Sequence, residues 1–233
     1  MKGPMGITVA SPIWSIGLGI AWLWHSESAL CFIIQRTSKR ATCWHIGQCR
    51  NHFKESPVTP QTIVHCTYER HASAILDIFN EAILNSTALY DYKPRAPESM
   101  GPWFEAKKKG NFPVIGIEDQ DGTLLAFGSY GSFRTWPAYK YTVEHSVYVH
   151  KDHRGHGLGL QVMQALIAVA CQNEIHVMMG GIDVTNAGSI ALHECLGFKH
   201  VGTLPQVGFK FGRWLDLSFY QLLLNTPVNP VDG

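Results

Sequence analysis

Regular alternation of hydrophobic and polar residues begins only at about Thr62. The first patterned segment, TIVHCTY (62–68), is rich in β-forming residues and predicts a strand. Apolar residues then recur at helical spacing and predict an amphipathic helix from about His71 to Asn85. The segment that follows, NSTALYDYKPRAPES (85–99), is a long connection rich in turn-forming residues.

The rest of the chain continues this mixture of helical and extended patterns. Two apolar runs flank the turn DQDG (119–122) and predict a β-hairpin. The overall order, β-α-α-β-β-β-α-β-α-β-β, has antiparallel strands early and a parallel crossover later, which predicts one α+β domain with a mixed sheet. The predicted segments are a short helix at 103–109, strands at 112–118, 124–131 and 141–149, a helix at 158–173, a strand at 176–183, a helix at 187–197, and strands at 199–205 and 214–224.

The first 60 residues do not share this pattern. Residues 7–24 form an apolar run without a charged residue. The length of this run is near the lower limit for a membrane-spanning helix. A signal peptide is a second hypothesis because Lys2 precedes the apolar run, but no small-x-small cleavage site follows it closely. A third hypothesis, which we favour, is that translation starts near Val58 and that the leader is not made naturally. The expected organisation is therefore a leader or linker at 1–60, the domain at 61–226 and a tail at 227–233.

Composition narrows the class of protein. The 233 residues include 19 Lys and Arg against 18 Asp and Glu, for a net charge of +1, so no basic surface for nucleic acid is indicated. Six cysteines scattered along a chain of this size do not suggest a disulfide framework, and we expect a reducing, cytoplasmic environment. The Cys and His residues of CWHIGQCRNH (43–52) match no standard zinc spacing, so we expect no metal.

A glycine-rich loop, YVHKDHRGHGLGLQ (148–161), lies between a predicted strand and a predicted helix. The first amides of a helix lack internal partners and lie at the positive end of its dipole, so they attract anions. Glycines at 155, 157 and 159 permit close approach to the backbone, and Arg154 adds a forked donor. We expect this loop to bind a pyrophosphate.

Glycine-rich loops also occur in settings other than a pyrophosphate site. Many glycine loops are only turns, and a P-loop is excluded because no Gly-Lys-Ser/Thr follows. A dinucleotide-binding fold is the main rival because Asp183 ends the next strand, where such folds place a ribose-binding acid. Against it, several strands precede the loop, and the glycine spacing is G-x-G-x-G.

The surrounding motifs resemble those of the Gcn5-related N-acetyltransferase (GNAT) superfamily. SVYVHKDHRGHGLG, followed by a helix, a strand and TNAGSIALHECLGF, is similar to its acetyl-CoA signature, with R-G-H-G-L-G at 154–159. YTVEHSVYVH, HECLGF and PQVGFKFGRWLDLSFYQL further resemble the branch that acetylates phosphinothricin and methionine sulfone or sulfoximine. The resemblance covers about residues 62–225 and implies the GNAT fold, a central mixed sheet flanked by helices.

The resemblance implies that acetyl-CoA is the co-substrate. The strand before the loop would splay from its neighbour, and its backbone would pair with the pantetheine arm. Asn186 would meet the cofactor near the next helix, although a plain helix cap is an equal alternative. The implied cofactor-binding residues are Val147, Tyr148, Val149, Arg154, Gly155, His156, Gly157, Leu158, Gly159 and Asn186.

Acetyl transfer also needs groups that move protons. Glu144 lies in mid-strand among apolar residues, where a carboxylate is costly unless it is paired. A salt bridge would explain it, but the resemblance favours a base or an anchor for the substrate amine. Family members often place a tyrosine, as proton donor to the thiolate, where this chain has His193, so His193 is our candidate acid. His145 either lines the pocket or is an ordinary hydrogen-bonded histidine.

The amino-acid substrate needs hydrogen-bond donors of its own. Arg134, at the end of a predicted strand, is the candidate cation, with Phe133 and Thr135 beside it; a solvated loop cation is the alternative. Tyr90 and Tyr92 are candidates to close over the ligand or to cover the sheet. Lys210 and Arg213 are further candidates for the substrate site or for a dimer contact.

These residues predict an N-acetyltransferase that acts on small amino-acid-like amines by direct attack in a ternary complex. The alternatives are an acetyltransferase for another amine, such as an aminoglycoside, a polyamine or a protein N-terminus, and a CoA-binding module without turnover. A buried base argues against the last alternative. We expect a homodimer, no nucleic-acid partner, and membrane association only if the apolar leader is present.

Overall fold

The structure, a computed structural model, describes residues 60–232. The apolar run at 7–24, the proposed start at Val58 and the segment 43–52 lie outside the described residues. Within residues 60–232 there is no helix long and apolar enough to cross a membrane.

The order of helices and strands is the predicted one. Between residues 60 and 232, seven strands and four α-helices follow one another, with short 3-10 turns in the connections. The elements are β1 (Thr62–His65), α1 (Tyr68–Asn85), α2 (Met100–Lys109), β2 (Val114–Glu118), β3 (Leu124–Ser132), β4 (Thr142–Val149), α3 (Leu158–Gln172), β5 (Val177–Asp183), α4 (Ala187–Cys195), β6 (Lys199–Lys210) and β7 (Arg213–Leu223).

All seven strands belong to one mixed sheet, in the order β1-β2-β3-β4-β5-β7-β6. The pairs β1–β2, β2–β3 and β3–β4 are antiparallel. The pair β4–β5 is parallel because α3 crosses over between the two strands. The parallel pairing is short and involves only Thr142–Glu144 with Val177–Met179. The predicted mixed-sheet α+β class is confirmed.

The sheet is covered by two apolar clusters. In one, α3 packs its buried residues Val162, Met163 and Leu166 against the central strands. In the other, α1 and α2 pack through residues such as Ile75 and Phe79. The strand β2 is buried along its whole length, which explains why its first four residues, VIGI, are apolar without alternation. Its last residue, Glu118, is buried as an ion pair with Arg70 and lies 2.9 Å from the His71 ring. These layers pack on the sheet that contains β4 and place the start of α3 beside it.

The first helix begins earlier than predicted. Thr67 caps it, because the side chain of Thr67 accepts a hydrogen bond from the amide of Arg70, 3.4 Å away, and the helix starts at Tyr68. The predicted strand extends through residue 68, but β1 ends at His65. Threonine is common in strands, and for this reason the predicted strand extends through Thr67. At this position, however, the hydroxyl of Thr67 caps the helix.

The strand β6 is longer than predicted, since it continues past Pro205 to Lys210. Its pairing with β7 is irregular between Leu204 and Gly208, and Gln206 there adopts a positive φ of 54°. The amide of Gln206 donates to Asp216 Oδ1 at 2.7 Å, which holds the bulge. Because β6 lies at the sheet edge, proline interrupts the ladder without ending the strand.

Lys210 is structural, contrary to the roles considered from the sequence. It is only 4% exposed, and its ammonium donates to the carbonyls of Ile83, Ser86 and Leu89 at 2.6–2.9 Å. These carbonyls lie at and after the end of α1, where helical carbonyls lack partners. Lys210 therefore fastens α1 and the connection after it to the end of β6.

Lys210→Met is expected to destabilise the domain by about 2–4 kcal/mol, because it leaves buried carbonyls without a donor. The measurement is the free energy of unfolding in urea. Lys199→Met, at the exposed start of the same strand, is the matched control and should change it by less than about 0.5 kcal/mol. Equal stability of the two variants would contradict the assigned role.

Candidate active site

A cleft opens where β4 and β5 separate. Beyond Glu144 the described strands no longer pair, so the backbone of Val147, Tyr148 and Val149 has no strand partner on the β5 side. A cavity of about 710 Å³ lies along this backbone and reaches the start of α3. Unpaired strand backbone in a cleft can accept an extended, amide-bearing chain as an additional strand. The pantetheine arm of CoA is such a chain.

The glycine loop closes one end of this cleft. Gly155 and Gly157 have positive φ angles of 81° and 77°, which side chains rarely tolerate, and Gly157 caps α3. A Cβ at either position would have no atom within 4 Å, so conformation rather than space requires glycine there. Gly159 differs, because it is helical and its Cβ would make ordinary contact with Leu192 and Val149. The loop thus presents bare amides at the N-terminus of α3.

The side chain of Arg154 contacts residues of the domain itself. Its guanidinium forms an ion pair with Glu81 of α1, and its Nε donates to the carbonyl of Val149 at 3.3 Å. The side chain remains about half exposed and lines the larger cavity. Arg154 therefore ties the loop to α1 while keeping a positive charge at the mouth. His156 is exposed, with Nδ1 3.2 Å from the carbonyl of His153.

A second cavity, of about 450 Å³, adjoins the first. Both are lined by Val147, Tyr148 and Asn186, so a group bound in the cleft can reach into the smaller space. The smaller cavity contains the polar candidates Glu144, His145 and His193. Its floor is the face of the sheet from β3 to β5.

Glu144 is the partly buried carboxylate of this smaller cavity. It makes no ion pair within 4 Å in the described part of the chain, so the salt bridge considered from the sequence is absent there. Burial raises the pKa of Glu144 above its usual value, and the guanidinium of Arg134 offsets part of that rise. A raised pKa makes a carboxylate a better proton acceptor near neutral pH.

His145 and His193 form a buried pair. The Nε2 atoms of the two rings are 3.1 Å apart, and Nδ1 of His193 lies 2.6 Å from the carbonyl of Ser189. A carbonyl only accepts, so Nδ1 of His193 carries a proton and Nε2 is bare, and His145 donates from its own Nε2. Nδ1 of His145 is then an acceptor that has no partner among residues 60–232. His145 both lines the smaller cavity and is hydrogen-bonded to His193, so the two alternatives considered for it are compatible.

Both rings are held neutral. Burial, with a smaller effect from His193, lowers the pKa of His145 to about 3. Burial also lowers the pKa of His193, although its hydrogen bond to Ser189 opposes this. Gly180 makes room for the pair, since a Cβ there would lie 2.9 Å from Nε2 of each ring. The pair thus shares one proton between its Nε2 atoms.

The segment Phe133–Thr135 lies outside the linings of both cavities. Arg134 is exposed, stacks its guanidinium 4.4 Å from the Phe133 ring, and donates to the carbonyl of Phe133 at 3.2 Å. Its charge nevertheless reaches Glu144. The described fold therefore places Arg134 near the mouth rather than in the wall.

Some of the remaining candidate residues line a cavity, and others make contacts that stabilise the fold. Asn186 caps α4, accepting from the amide of Ser189 at 3.1 Å, and also lines both cavities, so its two interpretations are compatible. Tyr90 lines the smaller cavity, whereas Tyr92 donates to the carbonyl of Phe209 at 2.7 Å. Arg213 binds Asp183 at 3.0 Å.

The dinucleotide hypothesis is wrong. Burial alone would raise the pKa of Asp183, but hydrogen bonds from Thr185 and the charge of Arg213 hold it below its usual value. This carboxylate is occupied within its own turn. The sheet also begins with antiparallel strands, unlike a doubly wound dinucleotide fold.

Sequence reasoning missed Lys107, whose side chain lines the smaller cavity. The run AKKKG (106–110) is typical of a solvated helix end, and Lys108 and Lys109 are indeed exposed. Lys107 lies four residues after Trp103, on the same face of α2, and this spacing was the available signal.

Comparison with known proteins decides the family. Residues 76–198 match the acetyltransferase (GNAT) family. The chain belongs to the GNAT acetyltransferase family. The family assignment and the predicted GNAT fold are confirmed, and the protein is an acetyl-CoA-dependent N-acetyltransferase.

Its relatives show which members of the GNAT family it resembles. It is 46% identical over 151 residues to the L-methionine sulfoximine/L-methionine sulfone acetyltransferase of Pseudomonas paraeruginosa, covering 65% of this chain and 88% of that one. It is 40% identical over 158 residues to an L-amino acid N-acyltransferase of Escherichia coli, covering 68% and 91%. A phosphinothricin acetyltransferase of Sinorhizobium meliloti, solved with acetyl-CoA, has a TM-score of 0.70 at 29% identity, covering 74% and 93%.

The site of this GNAT protein fits acetyl-CoA. The positive-φ glycines leave open space over the amides at the start of α3, which suits a pyrophosphate. The unpaired edge of β4 suits pantetheine, and the cleft leads to Glu144. No group of three or more metal-binding side chains is present among residues 60–232.

Proposed function

We propose that this chain transfers acetyl from acetyl-CoA to the α-amine of L-methionine sulfone, methionine sulfoximine, phosphinothricin or similar L-amino acids. The supporting observation is that the two cavities share lining residues and that Glu144 lines the smaller one, next to the space where a thioester held in the cleft would be placed. The names of the relatives support the amino-acid class. Transfer is direct, in a ternary complex.

The chemistry assigned to the site is one attack and two proton movements. Glu144 takes a proton from the ammonium, directly or through water, because only the neutral amine is nucleophilic. The amine nitrogen attacks the thioester carbonyl, and the C–S bond breaks as the tetrahedral intermediate collapses. The nitrogen loses its second proton to form the amide, and the departing CoA thiolate gains one, so that CoA leaves as the thiol. Glu144 ends protonated and returns its proton to solvent.

His193 remains the proposed donor to the thiolate, under a condition set by the histidine pair. Its Nδ1 proton is engaged by Ser189, and its Nε2 is bare while His145 donates to it. Taking the shared proton from His145 would leave an imidazolate beside an imidazolium, so His193 can donate from Nε2 only after that nitrogen has gained a proton from the attacking amine. The proposal therefore requires His145 to carry its own proton on Nδ1, so that the Nε2 of His193 is free to relay one.

Substrate discrimination tests the proposed class. L-Methionine sulfone should be acetylated with a kcat/KM at least about tenfold above that of L-methionine. The thioether of methionine leaves the donors that bind the sulfone oxygens without an acceptor, and each unpaired donor costs roughly 1–3 kcal/mol of binding free energy. The measurement is steady-state thioester cleavage with both amines. Arg134→Ala should reduce this preference if Arg134 supplies one donor, without changing the KM for acetyl-CoA. Equal efficiency for both amines in the wild type would contradict the proposed class.

We also propose a homodimer. The hairpin of β6 and β7 exposes large apolar side chains at the edge of the sheet, and such side chains often mark a contact surface. Those with 45–59% exposure include Val207, Phe209, Phe211 and Trp214.

A further inference from the structure

Lys107 brings a positive charge from α2 into the smaller cavity. Its Nζ donates to the carbonyl of Tyr130 at 2.8 Å, and it lies 3.7 Å from the place where a Cβ on Gly131 would stand. The side chain thus reaches over the end of β3. It lines the same cavity as Glu144.

This ammonium has no carboxylate to neutralise it. None of the ion pairs within 4 Å among the described residues includes Lys107. Its other neighbours are the rings of Trp103 and Phe112, at 5.5 and 5.9 Å. Burial lowers the pKa of Lys107 to about 8. A desolvated cation with one carbonyl and two rings still lacks a strong partner, which an anionic ligand would supply.

The sheet register relates Lys107 to Glu144. Gly131 lies directly opposite Glu144 in the antiparallel pair β3–β4. Directly opposed residues project to the same face, with Cβ atoms about 5 Å apart. Lys107 fills the space above Gly131, whereas Oε1 of Glu144 lies 3.3 Å from the place where a Cβ on Gly181 of β5 would stand. The cation and the carboxylate therefore line one face of the cavity from opposite sides, beyond ion-pair distance.

We propose that Lys107 binds the α-carboxylate of the amino-acid substrate while Glu144 receives its α-amine. This inference rests on the proposed function. An α-amino acid carries both groups on one carbon, which matches a neighbouring cation and anion on one cavity face. The carboxylate is the anion that all the proposed substrates share, whereas a sulfone is neutral. Lys107 would therefore select amino acids as a class, leaving side-chain selection to other residues.

The test compares an acid with its ester. The methyl ester of L-methionine sulfone lacks the negative charge of the carboxylate and also has a less basic amine. Wild type should prefer the acid, and the deciding quantity is how much each substitution changes kcat/KM for the acid and for the ester. Lys107→Gln keeps an N–H donor for Tyr130 but removes the charge. It should lower kcat/KM for the acid about 10- to 100-fold, mainly through KM, and change the ester by less than about threefold. The KM for acetyl-CoA should not change.

Lys108→Gln is the matched control, because Lys108 is exposed on the next position of the same helix. It should keep the wild-type preference for the acid. Lys107→Met is a second test variant, and thermal melting confirms that each variant is folded. Equal losses for acid and ester, or no loss for the acid, would overturn the role of Lys107. A wild type that ignores every α-amino acid would instead remove the proposed function, and this inference with it.

Discussion

Glu144→Gln is expected to lower kcat by about a hundredfold to ten-thousandfold near neutral pH, the usual contribution of positioned acid–base catalysis. Glutamine keeps the size and hydrogen bonding of Glu144 but cannot accept the proton of the ammonium. The cleft residues that hold acetyl-CoA are unchanged, so the KM for acetyl-CoA should stay within about threefold. Steady-state kinetics with L-methionine sulfone measures both quantities.

The pH dependence provides the control. Because burial raises the pKa of Glu144, its charged form works against folding: its contribution to stability is present below the unfolded pKa and is lost as pH rises through the folded pKa. Glu144→Gln should therefore leave the melting temperature at pH 7 equal or slightly higher. Its rate should keep rising with pH as the free amine deprotonates, while wild type levels off above the pKa of Glu144. Activity within a few-fold of wild type would assign Glu144 to structure.

Gly157→Val is expected to raise the KM for acetyl-CoA at least about tenfold. A β-branched residue resists the φ of 77° found at this cap, at a cost of roughly 1–3 kcal/mol. The loop should relax by turning its amides away from the pyrophosphate, since a Cβ at this position meets no neighbouring atom. Isothermal titration with CoA measures the loss directly.

Gly159→Ala is the matched control from the same loop. Gly159 is helical, and its Cβ would make contacts of 3.4 and 3.7 Å with Leu192 and Val149. Alanine is also a better helix former than glycine by about 1 kcal/mol. CoA affinity close to wild type is therefore expected. A loss of CoA affinity as large as that of Gly157→Val would mean that both positions require glycine because a side chain blocks the ligand, and not because of the backbone conformation.

Local pattern was enough to predict most of the fold. Helical spacing identified α1 and α3, and the turn at 119–122 identified the hairpin of β2 and β3. The errors lay at boundaries where one side chain decides. Thr67 is a β-former by composition but a helix cap by position, and the bulge at Gln206 depends on Asp216, ten residues away.

The site was less accessible to sequence reasoning because it depends on long-range geometry. Glu144 and the glycine loop could be proposed from the sequence because both lie in one continuous segment, which also carries the resemblance to the family. The contact between His145 and His193 spans 48 residues and requires the sheet to bring β4 beside α4. Lys107 was missed because three consecutive lysines look alike until the packing of α2 separates the one that enters the cavity.

The most direct test of the central claim is a thioester-cleavage assay of the purified protein with acetyl-CoA and a panel of amines. The panel contains L-methionine sulfone, methionine sulfoximine and phosphinothricin beside spermidine, an aminoglycoside and a peptide with a free N-terminus. CoA release with the three amino acids, and an acetylated α-amine in each product by mass spectrometry, is the predicted result. Turnover of spermidine, the aminoglycoside or the peptide, with none of the three amino acids acetylated, would contradict it.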